Sequence, residues 1–103
     1  LHTTLQVTTR PGTSFTDITD RLQHLAGESL APLGILTVQT THTTTAIVVN
    51  EHEPLLLADF EAALERFAPR LGSYEHDDLT RRCNVPPDEP ANGHAHCRAL
   101  VLP

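Results

Sequence analysis

Asn92-Gly93-His94-Ala95-His96-Cys97-Arg98-Ala99-Leu100-Val101-Leu102 is the segment on which the fold turns. Its apolar end, Ala99 to Leu102, follows a Gly/Pro-punctuated stretch, and this pattern predicts a strand over residues 94–102. Side chains at i and i+2 of a strand share a face. His94 and His96 are therefore expected side by side, where two neutral imidazoles can meet one metal ion or one anion. The plain structural alternative is a pair of exposed polar residues on a sheet face.

Upstream lies residues 70–93, with Gly72, Pro86, Pro87, Pro90 and Gly93 among Tyr74, His76, Asp77, Asp78, Arg81, Arg82 and Asn84. A loop this long in a small domain is usually functional or disordered, and its many reactive side chains predict an ordered functional loop. Before it, Pro54 suits the first helical position and Glu53 the positive helix end. Leu56, Phe60, Leu64 and Phe67 supply a core stripe, and Pro69 stops that helix. Residues 35–50 are rich in Thr, Val and Ile and predict one bent strand or two short ones. An earlier helix is expected after Ser14 or Asp17, with Ile18, Leu22 and Leu25 as its stripe, ended by Pro32 and Gly34. Residues 1–10 are expected as a strand. The order β-α-β-β-α-loop-β predicts an α+β fold, with a mostly antiparallel sheet and two helices packed on it, over one domain spanning 1–103.

The totals narrow the chemistry. Thirteen acidic residues against seven basic ones give a formal charge of −6, unlike a generic nucleic-acid binder, whose affinity comes from neutralising phosphates. All seven basic residues are arginine, so lysine Schiff-base chemistry is excluded, while bidentate grip on phosphate remains open. Cys83 and Cys97 form no CxxC pair and are expected as free thiols. No apolar run approaches the roughly 18 residues of a membrane span, and no secretory signal is seen. The expected setting is cytoplasmic, with no nucleic-acid or membrane partner.

Seven histidines in 103 residues need an explanation. A His-x-His pair requires a third ligand from elsewhere to hold zinc, and His42 and His76 are the candidates. His42 stands among Thr41, Thr43, Thr44 and Thr45, which read equally as an anion-facing strand end and as a solvated turn. Glu51 is a candidate carboxylate or base, against a plain reading of Asn50-Glu51-His52-Glu53 as the acidic start of a helix. Asp77-Asp78 with Arg81-Arg82 is a salt-bridged surface turn by default and a phosphate grip by alternative. His52 is expected to be exposed, and His24 partly buried on its helix.

In order, His42-Thr43-Thr44-Thr45-Ala46, Asn50-Glu51, His76 with two acidic residues after it, Asn84-Val85-Pro86-Pro87-Asp88-Glu89 and Asn92-Gly93-His94-Ala95-His96 resemble the YjbQ-like family. The resemblance covers essentially the whole chain. It implies an α+β homotrimer and a weak secondary thiamine-phosphate synthase activity. It also implies a site with His42, His94 and His96 as metal ligands, Glu51, His76 and Arg82 in catalytic roles, and Asn84 and Asn92 contacting the bound molecule. The implied cofactor is a divalent ion, zinc first, with manganese, nickel or magnesium as alternatives. The implied partner is a small phosphorylated molecule or a phosphate or sulfate anion. Two features depart from the family pattern. Three threonines follow His42 where many members have Thr-Ser, and a closing strand with a Gly-x-Trp-Gln element is expected beyond Pro103, since the sequence has no Trp. A non-catalytic metal- or phosphometabolite-binding trimer is the alternative function. A cupin-like metal oxygenase also starts from His-x-His, but it requires more strands and a later histidine.

Overall fold

Backbone groups that find no neighbouring strand must be satisfied locally, and that condition governs this chain. The computed structural model describes residues 2–103. It contains α1 (Thr19–Gly27), α2 (Pro54–Phe67), a single 3-10 turn (Glu75–Asp77) and α3 (Gly93–Val101). Among the described residues there is no β-strand. The chain divides into two compact units, Leu1–Thr37 and Val38–Pro103.

In the first unit α1 starts without a side-chain cap on Ile18. Asp17 Oδ1 instead accepts the Thr19 N–H at 2.9 Å, so the expected cap residue acts one position early. Ile18, Leu22 and Leu25 are half-buried, as is Leu5, and the Arg21 guanidinium donates to the Gln6 carbonyl at 2.6 Å. The helix ends at Gly27, ahead of the Pro32 and Gly34 expected to stop it.

The second unit is built around α2, which matches its sequence expectation closely. Pro54 occupies the first turn, and the Glu53 carboxylate accepts the N–H groups of Leu55 at 3.0 Å and Leu56 at 2.7 Å. Those are donors that the first helical turn cannot satisfy internally. Leu56, Phe60 and Leu64 are half-buried, but Phe67 at the end of the stripe is 55% exposed. The buried apolar side chain among the described residues is Ala68, 3% exposed, just past the helix.

The expected α+β fold is therefore corrected to an all-helical one among the described residues. The decisive segment, expected as a strand, is α3. Its residues explain the outcome: Ala95, Arg98, Ala99 and Leu100 are strong helix formers, and Val101 is its one β-branched residue. A helix also closes its own hydrogen bonds, whereas a strand here would lack a partner. The Thr-rich stretch 35–50 fails as a strand for a related reason. β-Propensity is mostly fit to a neighbouring pleated surface, and hydroxyl groups offer the backbone local alternatives. Thr40 and Thr45 hydroxyls lie 2.6 Å apart, and the Thr45 hydroxyl donates to the His42 carbonyl at 3.0 Å. Those contacts close a turn instead of a ladder. The expected first strand is likewise irregular over residues 2–10, and Leu1 lies outside the described residues. No helix among the described residues is long and apolar enough to cross a membrane.

Candidate functional site

The 3-10 turn and the start of α3 pack together, and this is where the chemistry-bearing residues gather. Tyr74 precedes the turn, His76 and Asp77 lie in it, and Asn92 to Cys97 open α3. One contact joins the two elements across 16 residues of sequence: Asp77 Oδ1 accepts the Gly93 N–H at 2.9 Å. A carboxylate at a helix N-terminus meets both unsatisfied N–H groups and the positive end of the helix dipole.

Gly93 makes the approach possible. A Cβ placed on it would stand 2.6 Å from Tyr74 Cβ and 2.9 Å from Tyr74 Cγ. The Tyr74 hydroxyl donates to the Pro69 carbonyl at 2.6 Å. Loss of solvent around its phenol, reinforced by nearby Cys97, raises the Tyr74 pKa above its usual value. Both cysteines are free thiols.

Because α3 is a helix, His94 and His96 do not share a face. Two residues of helix turn by about 200°, so the expected side-by-side pair is split. His96 instead meets His76, ring centroids 4.8 Å apart and planes 76° to one another. His94 lies toward Tyr74, at 6.4 Å between ring centroids. Asn92, four residues before His96, shares the His96 side of the helix. Three side-chain atoms in this cluster are buried without a hydrogen-bond partner: His76 Nε2, Asn92 Oδ1 and His94 Nδ1. Orphaned buried polar atoms are costly and point to a missing donor, ion or ligand.

Two imidazoles on one tetrahedral zinc, with Zn–N near 2.1 Å, hold their ring centroids about 5 Å apart. The His76–His96 spacing fits that arrangement. An amide oxygen such as Asn92 Oδ1 can only accept or coordinate, which suits a cation. The fit is a partial one, because no group of three or more His, Cys, Asp or Glu side chains gathers around one point among the described residues.

The other expected site residues are spread more widely. Arg82 is half-buried and donates to the His76 carbonyl at 3.2 Å, with Glu89 3.6 Å away. His42, Glu51 and Asn84 are exposed. Asn84 takes a left-handed φ of 56°, a conformation asparagine tolerates better than most residues. Asn50 accepts the neighbouring Glu51 N–H, leaving the helix cap to Glu53. His24 is exposed and lies 3.3 Å from Glu28. Arg81 forms the expected salt-bridged turn, pairing with Asp78 at 2.6 Å and with Glu75.

Sequence reasoning missed Arg98. It is 7% exposed, and its Nε donates to the Ala68 carbonyl at 2.9 Å while Nη2 pairs with Glu65 at 2.6 Å. This clamp ties α3 to the end of α2. The Arg70 backbone N–H, and behind it the Arg98 guanidinium, hold the Glu65 carboxyl below its usual range. The available signal was an arginine set inside an otherwise uncharged segment after His96. Two shallow surface depressions, of about 320 Å³ beside Leu5, His24 and Leu25 and about 550 Å³ beside Ala58 and Leu71, are not lined by His76, His94 or His96.

Comparison with known proteins agrees with the motif order. The family model described as UPF0047 protein YjbQ-like matches residues 3–103. A UPF0047 protein of Methanothermobacter thermautotrophicus is 35% identical over 86 residues, 84% of this chain and 53% of that protein. A UPF0047 protein of Archaeoglobus fulgidus is 37% identical over 86 residues, 84% of this chain and 58% of that one. The chain thus spans little more than half the length of these relatives. No solved structure matches it. On the family match over nearly its whole length, this chain belongs to the YjbQ-like UPF0047 family.

Proposed function

We propose that the chain carries a site for a divalent metal ion acting on a small phosphorylated molecule, with His76 and His96 at its centre. The supporting observation is the edge-on approach of these imidazoles at 4.8 Å beside the orphaned His76 Nε2 and Asn92 Oδ1. A cation is favoured over a bare anion at this end of α3, because the Asp77 carboxylate already caps it. Zinc is the first choice of ion, with manganese, nickel and magnesium after it. Family resemblance implies His42, His94 and His96 as ligands, but His94 lies toward Tyr74 and His42 is exposed, so this reading rests on His76 and His96.

The reaction in this reading is pyrophosphate displacement. A thiazole phosphate gives its ring-nitrogen lone pair to the benzylic-type carbon of a pyrimidine pyrophosphate. The carbon–oxygen bond breaks and pyrophosphate leaves with the electron pair. A bound divalent ion supplies charge neutralisation for the departing phosphates. Arg82 adds a guanidinium suited to a phosphate oxygen pair, Asn84 and Asn92 offer amide hydrogen bonds to substrate, and Glu51 offers a carboxylate.

The second reading is a metal- or phosphometabolite-binding homotrimer without turnover. Its support is the set of apolar residues left on the surface. Leu55 is 77% exposed, Leu100 84% and Val101 55%, and in this reading they are covered by other copies of the chain, as exposed apolar surface at interaction sites is.

The test is metal analysis of protein purified without a nickel column, followed by assay with the two substrates with and without chelator. About one divalent ion per chain is expected, with product lost on chelation and in His96→Ala at unchanged circular dichroism. Metal content near zero overturns the metal reading. Metal without product in the wild type leaves the binding-only reading standing.

A further inference from the structure

We infer that Asp77 is a positioning residue that sets His76 against His96 by holding the N-terminus of α3; this rests on the proposed metal site. Asp77 is adjacent in sequence to His76, and its Oδ1 takes the Gly93 N–H at 2.9 Å. Gly93 is buried and stands three residues before His96, nearly one helical turn. The single hydrogen bond therefore fixes the 3-10 turn to the helical turn that carries the second imidazole. Tyr74 closes the other side, so closely that Gly93 has no room for a side chain. Arg82, by contrast, donates to the His76 carbonyl and faces Glu89, both in the segment before α3.

Asp77 touches neither imidazole in any hydrogen bond seen here, so its effect passes through backbone geometry. Partners bonded directly to a metal ligand typically cost about 10–100-fold in metal affinity when removed, and a residue acting through the backbone is expected at the low end of that range. An asparagine at position 77 keeps an oxygen able to accept the Gly93 N–H while removing the charge. Alanine removes the acceptor altogether. The pair of variants separates position from charge.

The experiment records imidazole ¹H–¹⁵N spectra of metal-free wild type, Asp77→Asn and Asp77→Ala at one pH, with Zn²⁺ affinity measured by competition with a chromophoric chelator. In Asp77→Ala, the His76 and His96 ring signals should move toward those of exposed histidine, and Zn²⁺ affinity should fall by at least about tenfold. Asp77→Asn should keep the wild-type ring signals and stay within about threefold in affinity, an estimate below that same range. Ring signals unchanged in Asp77→Ala overturn the inference, and so does their loss in a folded Asp77→Asn. Should Asp77→Ala unfold, the asparagine variant decides alone. A wild type that binds no Zn²⁺ sinks the metal reading, whereas the metal-free ring signals still judge the role of Asp77.

Discussion

Gly93→Ala gives the sharpest check on the packing of the 3-10 turn against α3. In an exposed helix, glycine to alanine stabilises by about 1 kcal/mol, because alanine restricts the unfolded backbone and favours the helix. Here the added Cβ would fall 2.6 Å from Tyr74 Cβ and 3.1 Å from Asp77 Oδ1. Tyr74 Cβ is bonded to the backbone, so relief requires the turn itself to shift. Overpacking of this kind costs about 1–3 kcal/mol. The shift also loosens the Asp77–Gly93 bond, and a hydrogen bond to a charged group is worth about 1.5–3 kcal/mol. With mid-range values the substitution destabilises by about 3 kcal/mol after the helix gain is subtracted. That corresponds to a fall in Tm of about 12–24 °C for a domain of this size. The chain has one tyrosine and no tryptophan, so urea unfolding followed by Tyr74 emission reports from the point of strain. A variant equal to wild type, or more stable, would refute the close approach.

Arg98→Met keeps most of the aliphatic stem but removes the donor to the buried Ala68 carbonyl; a loss of about 1.5–3 kcal/mol is expected from urea midpoints. If the midpoint holds, the clamp between α2 and α3 is not a stabilising one. Acid should weaken the same clamp. Glu65 is held below its usual carboxyl range by the Arg70 N–H and by Arg98, so its folded pKa is depressed. Its contribution is present above the unfolded value of about 4.3 and disappears as the pH falls through the folded one. Urea midpoints taken between pH 6 and 3 should drop on the acid side, less steeply in Glu65→Gln; an identical drop in that variant removes Glu65 as a cause. Light scattering of the purified chain tests the trimer: a mass near three chains is expected, and a monomer at all concentrations counts against the apolar surface as an interface.

How much was legible in the sequence depended on how local the physics was. α2 could be read directly, since Glu53, Pro54 and the 56–60–64 spacing act within one or two turns of backbone. Asp17 was legible as a helix-start residue for the same reason. The family was legible because five motifs stand in order, whatever geometry they adopt. His76 and His96, which the structure brings together, were both among the candidates named from the sequence, but not as a pair.

That pairing was decided by tertiary structure. Whether residues 94–102 extend or coil depends on whether a strand lies alongside to complete a ladder. Side chains at i and i+2 share a face only in the extended case. With no neighbouring strand among the described residues, the segment closed its own hydrogen bonds, turned His94 away from His96, and brought His96 to His76 twenty residues earlier. The bond from Asp77 to Gly93 and the clamp from Arg98 to Ala68 span 16 and 30 residues. Contacts that distant leave no periodic trace in the sequence, because they depend on where the chain returns. The sequence by itself determined the family, α2 and the inventory of reactive side chains; the return of α3 to the 3-10 turn decided which of them meet.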